Sequence, residues 1–273
     1  MRAPEMAGFY LEWSDEFDGP AGSPHEPKNW ILQTPRHNWN HELQRYTDST
    51  DNAYLDGKWS LLFQCDNNGK MIFAANIKMG QNPRRRQQGI WPAWALGQSI
   101  RRGENWPKCG DWDIMELSNG SSTNQAKLTA PSFVGIGRQA IQWRNLSNKM
   151  ATHTGSIHHT DRMGNHAESH GTVDFDRKQY HTFTLLIDFS DDDYSKQSIK
   201  FQLDNKPYHA VQGDDSSDEK DRRNWERLAR SAFFPILNVA VGSDLPGDPD
   251  EKTLPGLESG MTIRWVAVYK SRY

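Results

Sequence analysis

The chain has 273 residues, enough for one substantial all-β domain, and its 32 basic and 35 acidic residues leave a formal charge of −3. That balance gives no global field to recruit nucleic acid or an anionic membrane, and no apolar run approaches the ~20 residues of a membrane-spanning helix. Two cysteines, Cys65 and Cys109, allow at most one disulfide, and the 11 Trp residues suit either core packing or a glycan-binding platform.

Met1-Arg2-Ala3-Pro4 leads straight into polar sequence with no signal-peptide core, which leaves an intracellular protein or a mature secreted form as the expectation. Residues 9–13 and 53–64 read as short strands on either side of a Pro/Gly/Asn-rich connection from Gly19 to Asn40. Met71 to Met79 has strand composition. Asn82 to Gly89 is a turn followed by a basic run, read as a solvated loop rather than an anion site. Residues 119–179 show few clean periodicities and read as the least regular third of the chain. Thr182 to Asp188 and Ser198 to Leu203 pair as a hairpin across the acidic Asp191-Asp192-Asp193, with turn chemistry at Asp204-Asn205-Lys206-Pro207. Asp214 to Arg223 is a charged loop, Asn224 to Arg230 a short helix capped by Asn224, and strands at 232–242 and 261–270 close the chain. Many short strands and few helices predict a β-sandwich, with no repeat or linker to divide residues 1–273 into two domains.

The chemistry concentrates in Asp111-Trp112-Asp113-Ile114-Met115-Glu116. On a strand, side chains two apart share a face, so Asp111 and Asp113 point one way and Trp112 and Ile114 the other. Glu116 has the wrong parity, and a bulge between Asp113 and Glu116 would bring it round to join them. Three acids on one face are costly in a structural strand, and paired carboxylates for acid and nucleophile work explain them. Five of the ten histidines, His153, His158, His159, His166 and His170, fall within eighteen residues, but none of the familiar metal-site spacings occurs. No G-x-S-x-G elbow, phosphate-cradling loop or dinucleotide fingerprint is present either, so no metal and no cofactor is expected.

Trp91-Pro92-Ala93-Trp94, then Trp106-Pro107-Lys108-Cys109-Gly110 and the acid strand, resemble the signature of glycoside hydrolase family 16, in particular its fungal endo-β-1,3(4)-glucanases. Ser14-Asp15-Glu16-Phe17-Asp18-Gly19, Asn40-His41-Glu42-Leu43-Gln44, Ile236-Leu237-Asn238-Val239-Ala240-Val241-Gly242 and Val266-Ala267-Val268-Tyr269 extend the resemblance over nearly the whole chain. It implies a concanavalin A-like β-jelly-roll sandwich with a concave cleft. It also implies Asp111 as nucleophile, Asp113 as its tuning neighbour and Glu116 as acid/base. Asn40, Glu42, Trp91, Trp94, Trp112 and His158 become the substrate-binding candidates, and a monomer acting on β-glucan is expected.

The chain departs from that pattern at several points. The family's first acid is Glu where this chain has Asp111, and its W-P-A-F-W is one residue shorter here. Leu245 stands where a sugar-stacking Trp often lies, and Arg264 where the family's convex-face calcium site often has Asp. Because these changes cluster around the cleft, three functions stay open: a retaining endo-glucanase that hydrolyses or transglycosylates β-glucan; the same scaffold repurposed for acid/base chemistry on a small molecule; and a non-catalytic glycan binder.

Overall fold

The computed structural model describes residues 2–20, 23–24, 28–32, 34, 41–49, 69–98, 111–117, 150–160, 166–213, 223, 225–226 and 232–272, with backbone alone for 98, 150–154, 158–160 and 166–168. Among the described residues, eleven strands form two antiparallel sheets. One sheet holds, in spatial order, β1 (Phe9–Asp15), β11 (Met261–Ser271), β2 (Lys70–Met79), β7 (His181–Asp188), β8 (Ser198–Leu203) and β9 (Lys206–Gln212). The other holds β10 (Phe233–Val241), β3 (Ile90–Gln98), β4 (Asp111–Glu116), β5 (Met150–Thr160) and β6 (His166–Asp176). The expected β-jelly-roll sandwich is what the residues build.

Alternation explains the layers. Met71, Phe73, Ala75, Ile77 and Met79 of β2 and Phe183, Leu185 and Ile187 of β7 send every second side chain inward, where they meet Trp94, Leu96, Trp112 and Ile157 of the opposite sheet. A second, smaller apolar cluster lies on the outer face of the six-stranded sheet, where Ile72, Ala74, Trp265, Ala267 and Tyr269 are covered by Ala3, Met6 and Phe9. The Tyr269 hydroxyl donates to the Pro4 carbonyl at 2.8 Å and fastens that N-terminal segment. Burial pushes the Tyr269 phenol up to about 12, with the Glu16 carboxylate adding to the effect, so it remains a donor at ordinary pH.

The predicted hairpin is present as β7 and β8, and Asp204 and Asn205, both at positive φ, make the tight turn into β9. The predicted strand at 53–64 lies outside the described residues, as do both cysteines and all of the predicted helix but Trp225 and Glu226, which are helical, as is Arg223 at the end of the expected charged loop. One reading needs correction. The span expected to be least regular contains β5 and β6, each of 11 residues and paired throughout. Their inward positions include Gly155, Ser169 and Gly171, which hide the usual apolar alternation. A Cβ at Gly171 would lie 2.4 Å from the His209 Cβ, and one at Gly155 2.4 Å from the Tyr208 hydroxyl, so the close approach of β9 requires glycine at both places.

The basic run at Arg84–Arg86 is a short 3-10 turn. Beneath it the buried Arg177 guanidinium donates to the Gly80 carbonyl and to the Gln87 side chain. Burial, and then the neighbouring Arg84, lower its pKa to about 10. Arg264 stacks 3.5 Å above the Tyr180 ring on the outer face.

Candidate active site

The bulge expected on the acid strand is there, and it settles which residues share a face. Against β3, Asp111 lies opposite Gly97, Asp113 opposite Ala95 and Glu116 opposite Ala93, so Ile114 is the extra residue. Against β5, Asp111 lies opposite His158, Asp113 opposite Ser156 and Glu116 opposite Thr154, so Ile114 and Met115 together face Gly155. Residues 93, 95 and 97 share one parity, as do 154, 156 and 158; the three acids therefore occupy one face of the sheet. Trp112, Ile114 and Met115 turn to the other face and are buried in the core.

Each acid has a distinct setting. Asp113 is 7% exposed and accepts a hydrogen bond from the buried Ser156 hydroxyl at 2.9 Å. Glu116 is half-buried and accepts at Oε1 from the Trp91 indole Nε1 at 2.9 Å. Asp111, also half-buried, sits at the start of β4 beside Gly97, whose missing Cβ makes room for Ile236 and Phe234.

The cleft candidates divide. Trp91 stands with the acids through its bond to Glu116. Glu42 lies on a segment docked along the free edge of β10: it bridges Gly242, Leu43 N donates to the Val241 carbonyl at 2.7 Å, and Val241 N donates to Gln44 Oε1 at 2.8 Å. The Gln44 amide in turn donates to the Glu42 carboxylate. His158 faces Asp111 by backbone register, and its side chain lies outside the description, as does Asn40 entirely. Trp94 and Trp112, expected at the cleft, are instead core residues at 0% exposure. Trp112 packs 4.2 Å from Phe233, ring centroid to ring centroid. The bulge explains Trp94: it pairs with Met115 on the inward side, while Ala93 and Ala95 beside it carry the outward parity. Both indole nitrogens are buried without a partner among the described residues.

Four residues on the acid face escaped the sequence reading. Ser156 holds Asp113, and Asn238 donates from its side-chain amide to the Tyr46 hydroxyl at 3.1 Å. Burial raises the Tyr46 phenol and the Glu42 carboxylate adds to the rise, while the bonds from Asn238 and Gln44 oppose it. His170 lies opposite Ser156 in the next strand, on the outward parity. The period-2 spacing of Glu42, Gln44 and Tyr46 was the available signal for the docked segment; nothing local to Ser156 or His170 sets either one beside Asp113, which follows from the register. No group of metal-ligating side chains able to hold an ion occurs among the described residues.

Comparison with known proteins places this geometry. No family model matches the chain. A glucan endo-1,3-β-glucosidase A1 of Niallia circulans is 24% identical over 314 aligned residues, covering 98% of this chain and 39% of its own length. This chain thus spans well under half of that relative. Among solved structures, an endo-1,3-β-glucanase from Streptomyces sioyaensis superposes with a TM-score of 0.69 at 23% identity, covering 99% of both chains. A non-specific endo-β-1,3(4)-glucanase of glycoside hydrolase family 16, crystallised with a glucan oligosaccharide, gives 0.61 at 21% identity over 98% of this chain and 96% of its own. The fold is shared with these glucanases, and in sequence the chain resembles laminarinase-like members of glycoside hydrolase family 16.

Proposed function

We propose that the protein hydrolyses β-1,3- or mixed β-1,3/1,4-glucan within the chain, using Glu116 as acid/base and Asp111 as nucleophile. The observation that supports this most is the bulge at Ile114, which sets three carboxylates on one face of the sheet. The likeness to β-glucan-degrading relatives points to the substrate class.

The Trp91 indole donates to Oε1 of Glu116 and orients the carboxyl that gives its proton to the glycosidic oxygen. Asp113 is fixed by Ser156 between its two neighbours, where its negative charge steadies the cationic character that develops at the anomeric carbon. Asp111 attacks from the opposite side of the sugar ring, and water later displaces it with Glu116 acting as base. Being one methylene shorter than Glu, Asp111 reaches about an ångström less far. Glu42 and Tyr46 flank the face at the β10 edge, where their polar ends meet sugar hydroxyls.

The test is reducing-sugar release from laminarin and lichenan, with Glu116→Gln as the control. Release by the natural chain and loss in the variant are expected; no release from concentrated protein overturns the reading. Proton NMR of the first product fixes the stereochemistry, and initial formation of the inverted anomer would reassign Asp111 from nucleophile to water-activating base.

A further inference from the structure

The bulge that supports the proposed function has to be held. A bulge leaves its extra residue out of the ladder and bends the strand, so neighbouring side chains keep their aim only if the backbone there is braced. Ile114 is that residue, and β9 of the opposite sheet approaches it from the core side. The Tyr208 hydroxyl crosses the sandwich and donates to the Ile114 carbonyl at 3.4 Å. Gly155, which faces Ile114 and Met115 across the bulge, makes this crossing possible. A Cβ there would fall 2.4 Å from the Tyr208 hydroxyl and 2.6 Å from Cδ1 of Phe201, whose ring flanks Tyr208 at 6.2 Å.

From this arrangement we infer that Tyr208 is a positioning residue for Glu116, acting through the Ile114 carbonyl to hold the bulge in the conformation that turns Glu116 onto the face of Asp111 and Asp113. The inference rests on the proposed glucanase reading for its catalytic consequence, but its structural content stands apart from it. Several features fit a brace better than a packing residue. Tyr208 is half-buried against the core with its hydroxyl turned to a backbone carbonyl, and a Phe would fill the same space without that bond. Burial drives the Tyr208 ionisation far above its ordinary value, so the hydroxyl stays protonated at ordinary pH. The carbonyl it meets belongs to the residue whose place in the β3 and β5 ladders is interrupted. Two residues further along, Glu116 rejoins the ladder, so a rotation of the Ile114 peptide is passed directly to it.

The experiment compares the natural chain with Tyr208→Phe, Gly155→Ala and the double variant. Tyr208→Phe removes the hydroxyl alone; Gly155→Ala drives the hydroxyl away with an added methyl. Two readouts are taken: kcat and KM on laminarin, and the indole resonance of Trp91 in a nitrogen-15 spectrum, assigned with Trp91→Phe. A displaced carboxylate costs on the order of 10- to 100-fold in rate. The expectation for Tyr208→Phe is a fall of that size in kcat with KM within about 2-fold of the natural value, a changed alkaline limb of the pH profile, and a moved Trp91 resonance. The double variant should be no worse than the poorer single one, because both act on one contact. If kcat and the Trp91 resonance both hold steady, or if KM rises alone, the inference is overturned. If the natural chain releases no sugar, the glucanase reading has failed and the resonance decides: a shift in Tyr208→Phe sustains the brace, and no shift removes it. Should Gly155→Ala not fold, Tyr208→Phe still carries the test.

Discussion

Trp94→Ala and Trp91→Phe separate the core from the site within a single strand. Trp94 is wholly buried among the apolar side chains of both sheets. Truncating a buried Trp to Ala typically costs about 3–5 kcal/mol, through lost burial and the cavity left behind. For a chain of this size, each kcal/mol moves the melting temperature by about 2–4 °C, so a fall of roughly 6–20 °C is expected. Trp94→Phe should be far milder. It leaves a smaller void and also removes an indole nitrogen with no partner among the described residues, a group whose burial costs about 1–3 kcal/mol. KM on laminarin should stay unchanged in both, measured below the lowered melting point. Trp91 is half-buried and bonded to Glu116, so Trp91→Phe should leave the melting temperature nearly untouched. Its loss removes a hydrogen bond to a group that is charged through part of the cycle, worth about 1.5–3 kcal/mol, or roughly 10- to 150-fold in kcat. Thermal melts by circular dichroism and steady-state kinetics on the same preparations suffice. A rise in KM for Trp94→Ala with an unchanged melt would refute the buried placement. An equal loss of stability in Trp91→Phe would refute its assignment to the acid face.

Other perturbations have equally definite outcomes. Asp111→Glu moves the carboxylate forward by about an ångström and should raise hydrolysis of laminarin, by on the order of 100-fold where reach limits the rate; a fall would show that the surrounding cleft has adapted to Asp. Burial alone would raise the Asp188 carboxyl, but the Lys70 ammonium at 2.7 Å and the bonds from Ser190 outweigh it and hold its pKa below the ordinary value. Its stabilising effect is therefore complete above the unfolded carboxylate range, about pH 4, and is lost as pH falls through the lower folded value. Lys70→Met should accordingly move acid unfolding, followed by circular dichroism, to higher pH; an unchanged acid midpoint would show that the pair contributes nothing. Tyr269→Phe loses the bond to Pro4 and should cost about 1 kcal/mol in urea unfolding, with earlier proteolysis of the N-terminal segment.

The strands that the sequence revealed are those whose inward positions carry large apolar side chains. β2 and β7 read as strands because both lie mid-sheet and meet the opposite layer along their length, so that large apolar side chains fill their inward positions. β5 and β6 do not, because β9 closes over them so tightly that Gly155 and Gly171 replace the expected Val or Ile. A period-2 test scores such positions as breaks. Regular pairing survives them, since a ladder is made by backbone groups and is indifferent to the missing side chain.

Site prediction divides along the same physical line. The bulge was legible because charge parity demanded it: three acids near one another in sequence could share solvent only if one residue was taken out of register. Trp94 and Trp112 are core rather than cleft residues: strand parity alone sets Trp112 opposite the acids, and for Trp94 the register against Met115 decides. That register depends on where Ile114 is inserted, and the insertion is stabilised by Tyr208, a residue 94 positions away in the chain. Ser156 and His170 were invisible for a related reason, since their place beside Asp113 follows from pairing across β4, β5 and β6 and from nothing local. The acids thus report their face through their own charge, whereas the residues that orient them act through long-range pairing. Substitutions at Tyr208 and Ser156 should therefore alter rate and pH dependence more than their sequence surroundings suggest.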